Sequence, residues 1–92
     1  MPDLISIGIS HKTAPVALRE RLSLSTGQAK QVMHDLIGSE DIHEAVAIST
    51  CNRTELYMVA SDPVAAESLA LSHLSRRAEI RPTELVERLY TF

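Results

Sequence analysis

The hydrophobic and polar positions at the start of the chain alternate. Within the stretch 4–10, Ile5, Ile7 and Ile9 are separated by small or polar residues. A period of two is typical of a strand with one buried face. The pattern therefore predicts a first strand here.

Two later segments have helical spacing instead. The segment 25–38 begins with the capping-box pair Ser25 and Gln28, carries apolar residues on one helical face and ends at Gly38. A second segment, 62–77, begins with an aspartate and a proline and ends on two arginines, which suit the negative end of a helix dipole. Both segments are predicted to be long helices.

Shorter elements complete the chain. A proline precedes or begins each of two short predicted helices, over 16–22 and 82–86. The apolar run within 44–49 predicts a strand buried on both faces, and 54–60 is rich in strand-forming residues. Four residues separate these two strands, which predicts a hairpin or a sharp change of direction. The last residues, 89–92, have the composition of a further strand.

The order of the strands and the two long helices is β-α-β-β-α-β. This order predicts an α+β fold, a split βαβ (ferredoxin-like) sandwich with a four-stranded sheet and two long helices on one face. The last strand lies at the end of the chain and is predicted to be incomplete.

Composition limits the class of protein. Ninety-two residues make one domain, and a net charge of −3 with no basic half does not predict nucleic-acid binding by charge alone. No apolar run reaches the roughly 18–20 residues of a membrane span, and Asp3 does not fit a secretory signal, so we expect a cytoplasmic protein. The histidines lack metal-ligand spacing, and the glycines form no phosphate-binding loop.

The single cysteine, Cys51, is the main candidate for chemistry. It follows a predicted strand in a polar loop, and the nearby Arg53 favours its thiolate form. A pair with His11, which follows the first strand, would make a cysteine hydrolase conceivable. The alternative is an inert thiol that behaves as a small hydrophobic residue, and the residue pattern leaves both open.

Two motifs together resemble one family. The stretch 8–16, GISHKTAPV, is followed by Leu18-Arg19-Glu20, and the stretch 49–57 reads STCNRTELY. With this spacing they resemble the amino-terminal catalytic domain of glutamyl-tRNA reductase. The resemblance covers nearly all of the 92 residues. It implies residues 1–92 to be the glutamyl-tRNA-binding, cysteine-bearing domain fragment, without the NADPH-binding and dimerisation domains of a full-length parent.

The resemblance also implies an activity and a site. The parent would be an NADPH-dependent oxidoreductase that converts glutamyl-tRNA to glutamate-1-semialdehyde, the first step of tetrapyrrole (haem, porphyrin) biosynthesis from glutamate. Cys51 would be the nucleophile that forms a thioester intermediate, and Thr50, Asn52 and Arg53 would bind the substrate. No cofactor or metal is expected on this fragment.

Partners and a competing function follow from the same interpretation. The resemblance implies glutamyl-tRNA as substrate, a homodimer formed through a helical domain outside this chain, and transfer of the product to glutamate-1-semialdehyde aminomutase. The alternative is a non-catalytic ferredoxin-like module that binds a small molecule or a protein partner, because this architecture has many functions.

Overall fold

A computed structural model describes residues 3–10, 12–50 and 52–91 of the chain. Its elements follow in chain order: β1 (Asp3–Ser10), α1 (Val16–Leu22), α2 (Thr26–Ile37), β2 (Ile42–Ser49), β3 (Arg53–Ala60), α3 (Pro63–Ala78), α4 (Pro82–Val86) and β4 (Tyr90–Thr91). The three long strands and the four helices are found where they were predicted, with their ends within about two residues of the prediction, the usual spread of element boundaries.

The three long strands form an antiparallel sheet. β1 pairs with β3 along its whole length, from Asp3 opposite Ala60 to Ser10 opposite Arg53. β2 forms a hairpin with β3, as predicted, and the short β4 pairs with the middle of β1, which gives the order β2-β3-β1-β4. The α+β class with an antiparallel sheet is confirmed.

The core lies between one face of the sheet and the helices. The alternate residues Ile7 and Ile9 of β1 are buried against Leu56 and Met58 of β3. Helical residues complete the cluster: Leu18, Leu22, Val32, Leu36, Ala66, Ala70, Leu74, Ala78 and Leu85. The period-two and helical patterns of the sequence thus meet in one apolar layer, and burial of this layer is the main stabilising contribution.

The ends of α2 and α3 show which of the predicted capping residues form hydrogen bonds to the helix backbone. Both capping-box bonds of α2 are present, since the Ser25 side chain accepts from the Gln28 N–H and the Gln28 side chain accepts from the Ser25 N–H. At α3 the Asp62 side chain accepts from the Ala65 N–H. Gly38 ends α2 as predicted but in right-handed helical conformation, so its freedom at positive φ is not used there.

The prediction that β2 is buried on both faces is wrong. β2 is an edge strand, and its outward residues Val46 and Ile48 are 51% and 43% exposed. Only the face that carries Ala45 and Ala47 packs against the core. An apolar run cannot reveal how many neighbours a strand has, which is why the sequence was misleading here.

Candidate functional site

The predicted substrate residues share the turn of the β2–β3 hairpin. The Thr50 N–H donates a hydrogen bond of 2.8 Å to the Arg53 carbonyl and closes the turn. The Asn52 N–H donates to the Thr50 hydroxyl at 3.3 Å, and the Thr50 and Asn52 side chains are exposed. Cys51 lies outside the described residues. The structure therefore brings Thr50, Asn52 and Arg53 together and does not test the placement of the cysteine.

Hydroxyl groups of the strand pair next to this turn bind the end of α1 and the connection between α1 and α2. The buried Thr54 hydroxyl donates to the Leu22 carbonyl at 3.1 Å and lies 3.0 Å from the Ser49 hydroxyl. The Ser49 hydroxyl in turn accepts from the Leu24 N–H at 2.9 Å. These bonds satisfy one backbone group in the last residue of α1 and one just after the helix, and they hold the last pair of the hairpin in place.

The first sequence motif leaves the sheet at the same end as the hairpin turn. Ser10 is the register partner of Arg53, so the turn after β1 lies beside the hairpin. Its backbone is tightly bonded, since the Ser10 N–H donates to the Thr13 hydroxyl at 2.9 Å and the Ser10 carbonyl accepts from the Thr13 and Ala14 N–H groups. His11 lies outside the described residues. The two motifs thus converge through strand pairing at Ser10 and Arg53, which are 43 positions apart in the sequence.

Three polar side chains follow one another on the sheet face that points away from the core. Arg53, Glu55 and Tyr57 are two positions apart along β3. Arg53 Nη1 lies 3.7 Å from Glu55 Oε2, and the Tyr57 hydroxyl donates to Glu55 Oε1 at 3.1 Å. The Arg53 side chain is 51% exposed whereas the Glu55 side chain is 8% exposed. A buried carboxylate therefore lies between a phenol and a guanidinium that solvent can reach.

The environment of Tyr57 fits this arrangement. Burial raises the pKa of Tyr57 above its usual value of 10.0, and the hydrogen bond to Glu55 and the charge of Glu55 raise it further, against an opposing effect of Arg53. The phenol is protonated at neutral pH even at its ordinary pKa, so it can act as a donor to the carboxylate, and the raised pKa of Tyr57 is consistent with that bond.

A cavity of about 260 Å³ adjoins the turn on the helix side. Thr50 lines it together with residues of α1 and of the following connection. These are Val16, Arg19, Glu20 and Ser23. Arg19 and Glu20 belong to the first motif, so the cavity joins both motifs through described residues. Its mixed charged and hydroxyl lining suits a small polar group.

Sequence reasoning missed Glu55. It belongs to the second motif but received no role, and the signal that could have found it is the period-two spacing of three polar residues on one strand. His73 of α3 is half-buried, and burial is the largest cause that lowers its pKa, followed by the charge of Arg76.

Neither a metal nor a nicotinamide cofactor fits the described residues. Among residues 3–10, 12–50 and 52–91, no three His, Cys, Asp or Glu side chains are grouped as metal ligands would be. The sheet pairs described there are antiparallel, and none of the three glycines stands between a strand and a following helix, as a dinucleotide-binding turn requires. In the same part of the chain, the helices are too short or too polar to cross a bilayer.

Fold and site together define a small α+β domain whose antiparallel sheet presents a polar hairpin turn with the sequence Thr-Cys-Asn-Arg. The family model described as "Glutamyl-tRNAGlu reductase, N-terminal domain" matches residues 7–92. The chain belongs to this family, which confirms the resemblance seen in the two sequence motifs.

Similar proteins agree with this assignment. The chain is 48% identical over 92 residues to "Glutamyl-tRNA reductase" of Chlorobium phaeobacteroides (strain DSM 266) and 47% identical to that of Chlorobium limicola (strain DSM 245), covering 96% of this chain in both. The chain spans 22% of the length of these relatives. The solved glutamyl-tRNA reductase from Methanopyrus kandleri matches 76% of this chain and 16% of its own, with a TM-score of 0.59 and 31% identity.

Proposed function

We propose that this domain captures the glutamyl group of glutamyl-tRNA as a thioester, within an enzyme that converts glutamyl-tRNA to glutamate-1-semialdehyde at the start of tetrapyrrole biosynthesis. The observation that carries the proposal is the family match over both motifs, combined with a hydrogen-bonded hairpin turn that brings together Thr50, Asn52 and Arg53, the neighbours of Cys51 in the sequence.

The proposed nucleophile is the Cys51 thiolate. It attacks the carbonyl carbon of the glutamyl ester, a carbon–sulfur bond forms, and the ester carbon–oxygen bond breaks. The released ribose oxygen of the tRNA takes up a proton. A thiolate suits this step because it is strongly nucleophilic and, in the next step, a good leaving group. The neighbours of Cys51 in the sequence are held by hydrogen bonds, since the Thr50 N–H donates to the Arg53 carbonyl and the Asn52 N–H donates to the Thr50 hydroxyl.

Arg53 is proposed to recognise the substrate carboxylate. Its guanidinium is planar and presents five donors, which can form two charge-assisted bonds to a carboxylate. The side chain is 51% exposed and therefore accessible to a ligand. Thr50 and Asn52 offer a hydroxyl and an amide to the rest of the glutamyl group. The cavity beside Thr50 has room for a small polar group next to this turn.

The remaining parts of the reaction are assigned to the longer protein. NADPH would supply the hydride in the parent enzyme, and because the described residues do not fit a nicotinamide dinucleotide, the chemistry proposed for this chain ends with acyl capture. We propose that the NADPH-binding and dimerisation domains lie outside residues 1–92, that the parent is a homodimer, and that glutamate-1-semialdehyde passes to the aminomutase. We expect the enzyme in the cytoplasm.

The strand order also supports a more specific proposal about the fold. We propose that the domain is a ferredoxin-like split βαβ sandwich. The order β2-β3-β1-β4 with antiparallel neighbours is the one that two interleaved βαβ units produce. The two-residue β4 would be the start of the fourth strand.

The role of Arg53 can be tested by acyl capture with two aminoacyl-tRNAs. The protein and its Arg53→Lys variant are mixed with glutamyl-tRNA or valyl-tRNA, and covalent acyl-protein is measured after acid quenching. We expect the wild type to capture glutamate alone and Arg53→Lys to lose at least about tenfold in capture, because a point charge replaces a two-donor fork. Arg76→Lys, an exposed residue of α3, is the matched control. Equal capture by the two variants would contradict the proposal.

A further inference from the structure

We propose that Glu55 is a positioning residue that holds the Arg53 guanidinium in place to receive the substrate carboxylate. This inference rests on the proposed function of Arg53 and assigns a role to a neighbour that touches the guanidinium and not the substrate. The observation behind it is the contact of 3.7 Å between Arg53 Nη1 and Glu55 Oε2.

The two partners differ in burial. The Glu55 side chain is 8% exposed, whereas the Arg53 side chain is 51% exposed. An ion pair between two exposed side chains orders neither of them well. Here one partner is fixed within the protein, so the other loses its freedom against a stationary charge. The exposed part of Arg53 remains available to a ligand.

Two described neighbours contribute to the position of Glu55. The Tyr57 hydroxyl donates to Glu55 Oε1 at 3.1 Å, and Oε2 is the oxygen that faces Arg53. On the adjacent strand, Gly8 is the register partner of Glu55, and a Cβ atom at Gly8 would lie 2.9 Å from Glu55 Cγ. The carboxylate is therefore oriented by a hydrogen bond and by a close approach to the backbone of β1.

Glu55 affects a bound carboxylate in two opposite ways. It orders Arg53, which reduces the rotamer entropy that the guanidinium would lose on binding, and it repels a second anion through its charge. The contact with Glu55 is made by Nη1, and a guanidinium presents five donors, which is more than this contact uses. The proposal is that ordering outweighs repulsion, and this makes a prediction with a definite sign.

The variant that separates the two effects is Glu55→Gln, which keeps the size of the side chain and an acceptor for Tyr57 but removes the charge. We expect the glutamyl-tRNA concentration for half-maximal acyl capture to rise about tenfold, because an Arg53 that is not held in place loses part of its rotamer entropy on binding. The maximal rate should change little. Alkylation of Cys51 by iodoacetamide, which needs no carboxylate recognition, should stay unchanged. Glu84→Gln, at an exposed acidic residue of α4, is the charge-matched control.

A second readout does not depend on catalysis. The Nε–Hε signal of Arg53 in the ¹⁵N-labelled free protein, identified by its loss in Arg53→Lys, should have a heteronuclear NOE close to that of the backbone. In Glu55→Gln it should fall to the value of an exposed arginine such as Arg88. If Glu55→Gln loses its circular-dichroism signal, Tyr57→Phe, which removes only the hydroxyl that orients Glu55, replaces it in both measurements.

The outcomes distinguish the two proposals. Unchanged or tighter half-maximal capture in Glu55→Gln, or an equally mobile Arg53 in wild type and variant, would overturn the positioning role. If the wild type captures no glutamate while the order of Arg53 still depends on Glu55, the proposed function fails and the contact remains a structural one.

Discussion

Gly8 of β1 lies directly opposite Glu55 of β3, and a Cβ atom at residue 8 would lie 2.9 Å from Glu55 Cγ. This relationship links the two sequence motifs, since Gly8 begins the first and Glu55 belongs to the second. Because Gly8 has no Cβ atom, the Glu55 side chain can lie against the backbone of β1, and its carboxylate contacts Arg53.

Replacement of Gly8 by alanine should therefore destabilise the domain. The new Cβ atom would lie 2.8 Å from the Thr54 carbonyl oxygen and 2.9 Å from Glu55 Cγ, and the first of these is backbone that cannot move alone. We expect Gly8→Ala to lower the free energy of unfolding by about 1–3 kcal/mol, as overpacking does. Urea denaturation followed by circular dichroism measures the change.

Gly27 provides the matched control. It lies in the first turn of α2 with no atom within 4 Å of an added Cβ. Gly27→Ala should raise the free energy of unfolding by about 0.5–1 kcal/mol, because alanine costs less backbone entropy in a helix. An equal effect of the two substitutions would show that the close approach at Gly8 has no energetic consequence.

The Thr54 hydroxyl should be important for the position of the hairpin. Thr54→Val keeps the shape of the side chain but leaves the Leu22 carbonyl and the Ser49 hydroxyl without this partner. We expect a loss of about 1–3 kcal/mol in the free energy of unfolding, the cost of unsatisfied buried polar groups. Thr83→Val, at an exposed position of α4, should change it by less than about 0.5 kcal/mol in the same denaturation experiment. A Thr54→Val variant as stable as the wild type would contradict this account.

Glu79 is a site where the chain can be stabilised. It ends α3 in the left-handed conformation, with φ of 57°, which costs a residue with a side chain more than it costs glycine. We expect Glu79→Gly to raise the melting temperature, with a gain of up to about 1 kcal/mol. Glu87→Gly, at a cap with φ of −68°, should lower it. Calorimetry of both variants checks the opposite signs.

Stability should decrease as the pH falls through the titration of His73. Burial, with the charges of Arg76 and Arg77, lowers the folded-state pKa of His73 below 6.5, against an opposing effect of Asp35. The unfolded chain then binds the proton first, so the free energy of unfolding falls as the pH drops below about 6.5. Between about pH 7.5 and about pH 5.5 the decrease should be smaller in His73→Gln. His34→Gln gives the cost of the same change at an exposed position of α2. An identical pH dependence in wild type and His73→Gln would refute the role of His73.

The elements of the fold were predictable because their signals are local. The capping box at Ser25 and Gln28 and the alternation in β1 each act within a few residues. The position of β2 at the sheet edge was not predictable, since it depends on which strands pair. Val46 and Ile48 are residue types typical of buried strands, and yet they are exposed.

Part of the candidate site could likewise be predicted from the sequence, and part of it could not. Thr50, Asn52 and Arg53 could be placed together from the sequence because one turn contains them. Gly8 and Glu55 are 47 positions apart in the sequence, and their pairing depends on a strand register that no local pattern specifies. A role for Glu55 therefore required the structure.

The central claim is that Cys51 captures the glutamyl group. The most direct measurement is the intact mass of the protein after it is mixed with glutamyl-tRNA and quenched with acid, in parallel with Cys51→Ser. A circular-dichroism spectrum shows that both proteins are folded. We predict a mass increase of one glutamyl residue in the wild type, removed by hydroxylamine as a thioester is, and no increase in Cys51→Ser. A folded wild type without an adduct, or an adduct retained in Cys51→Ser, would contradict the claim.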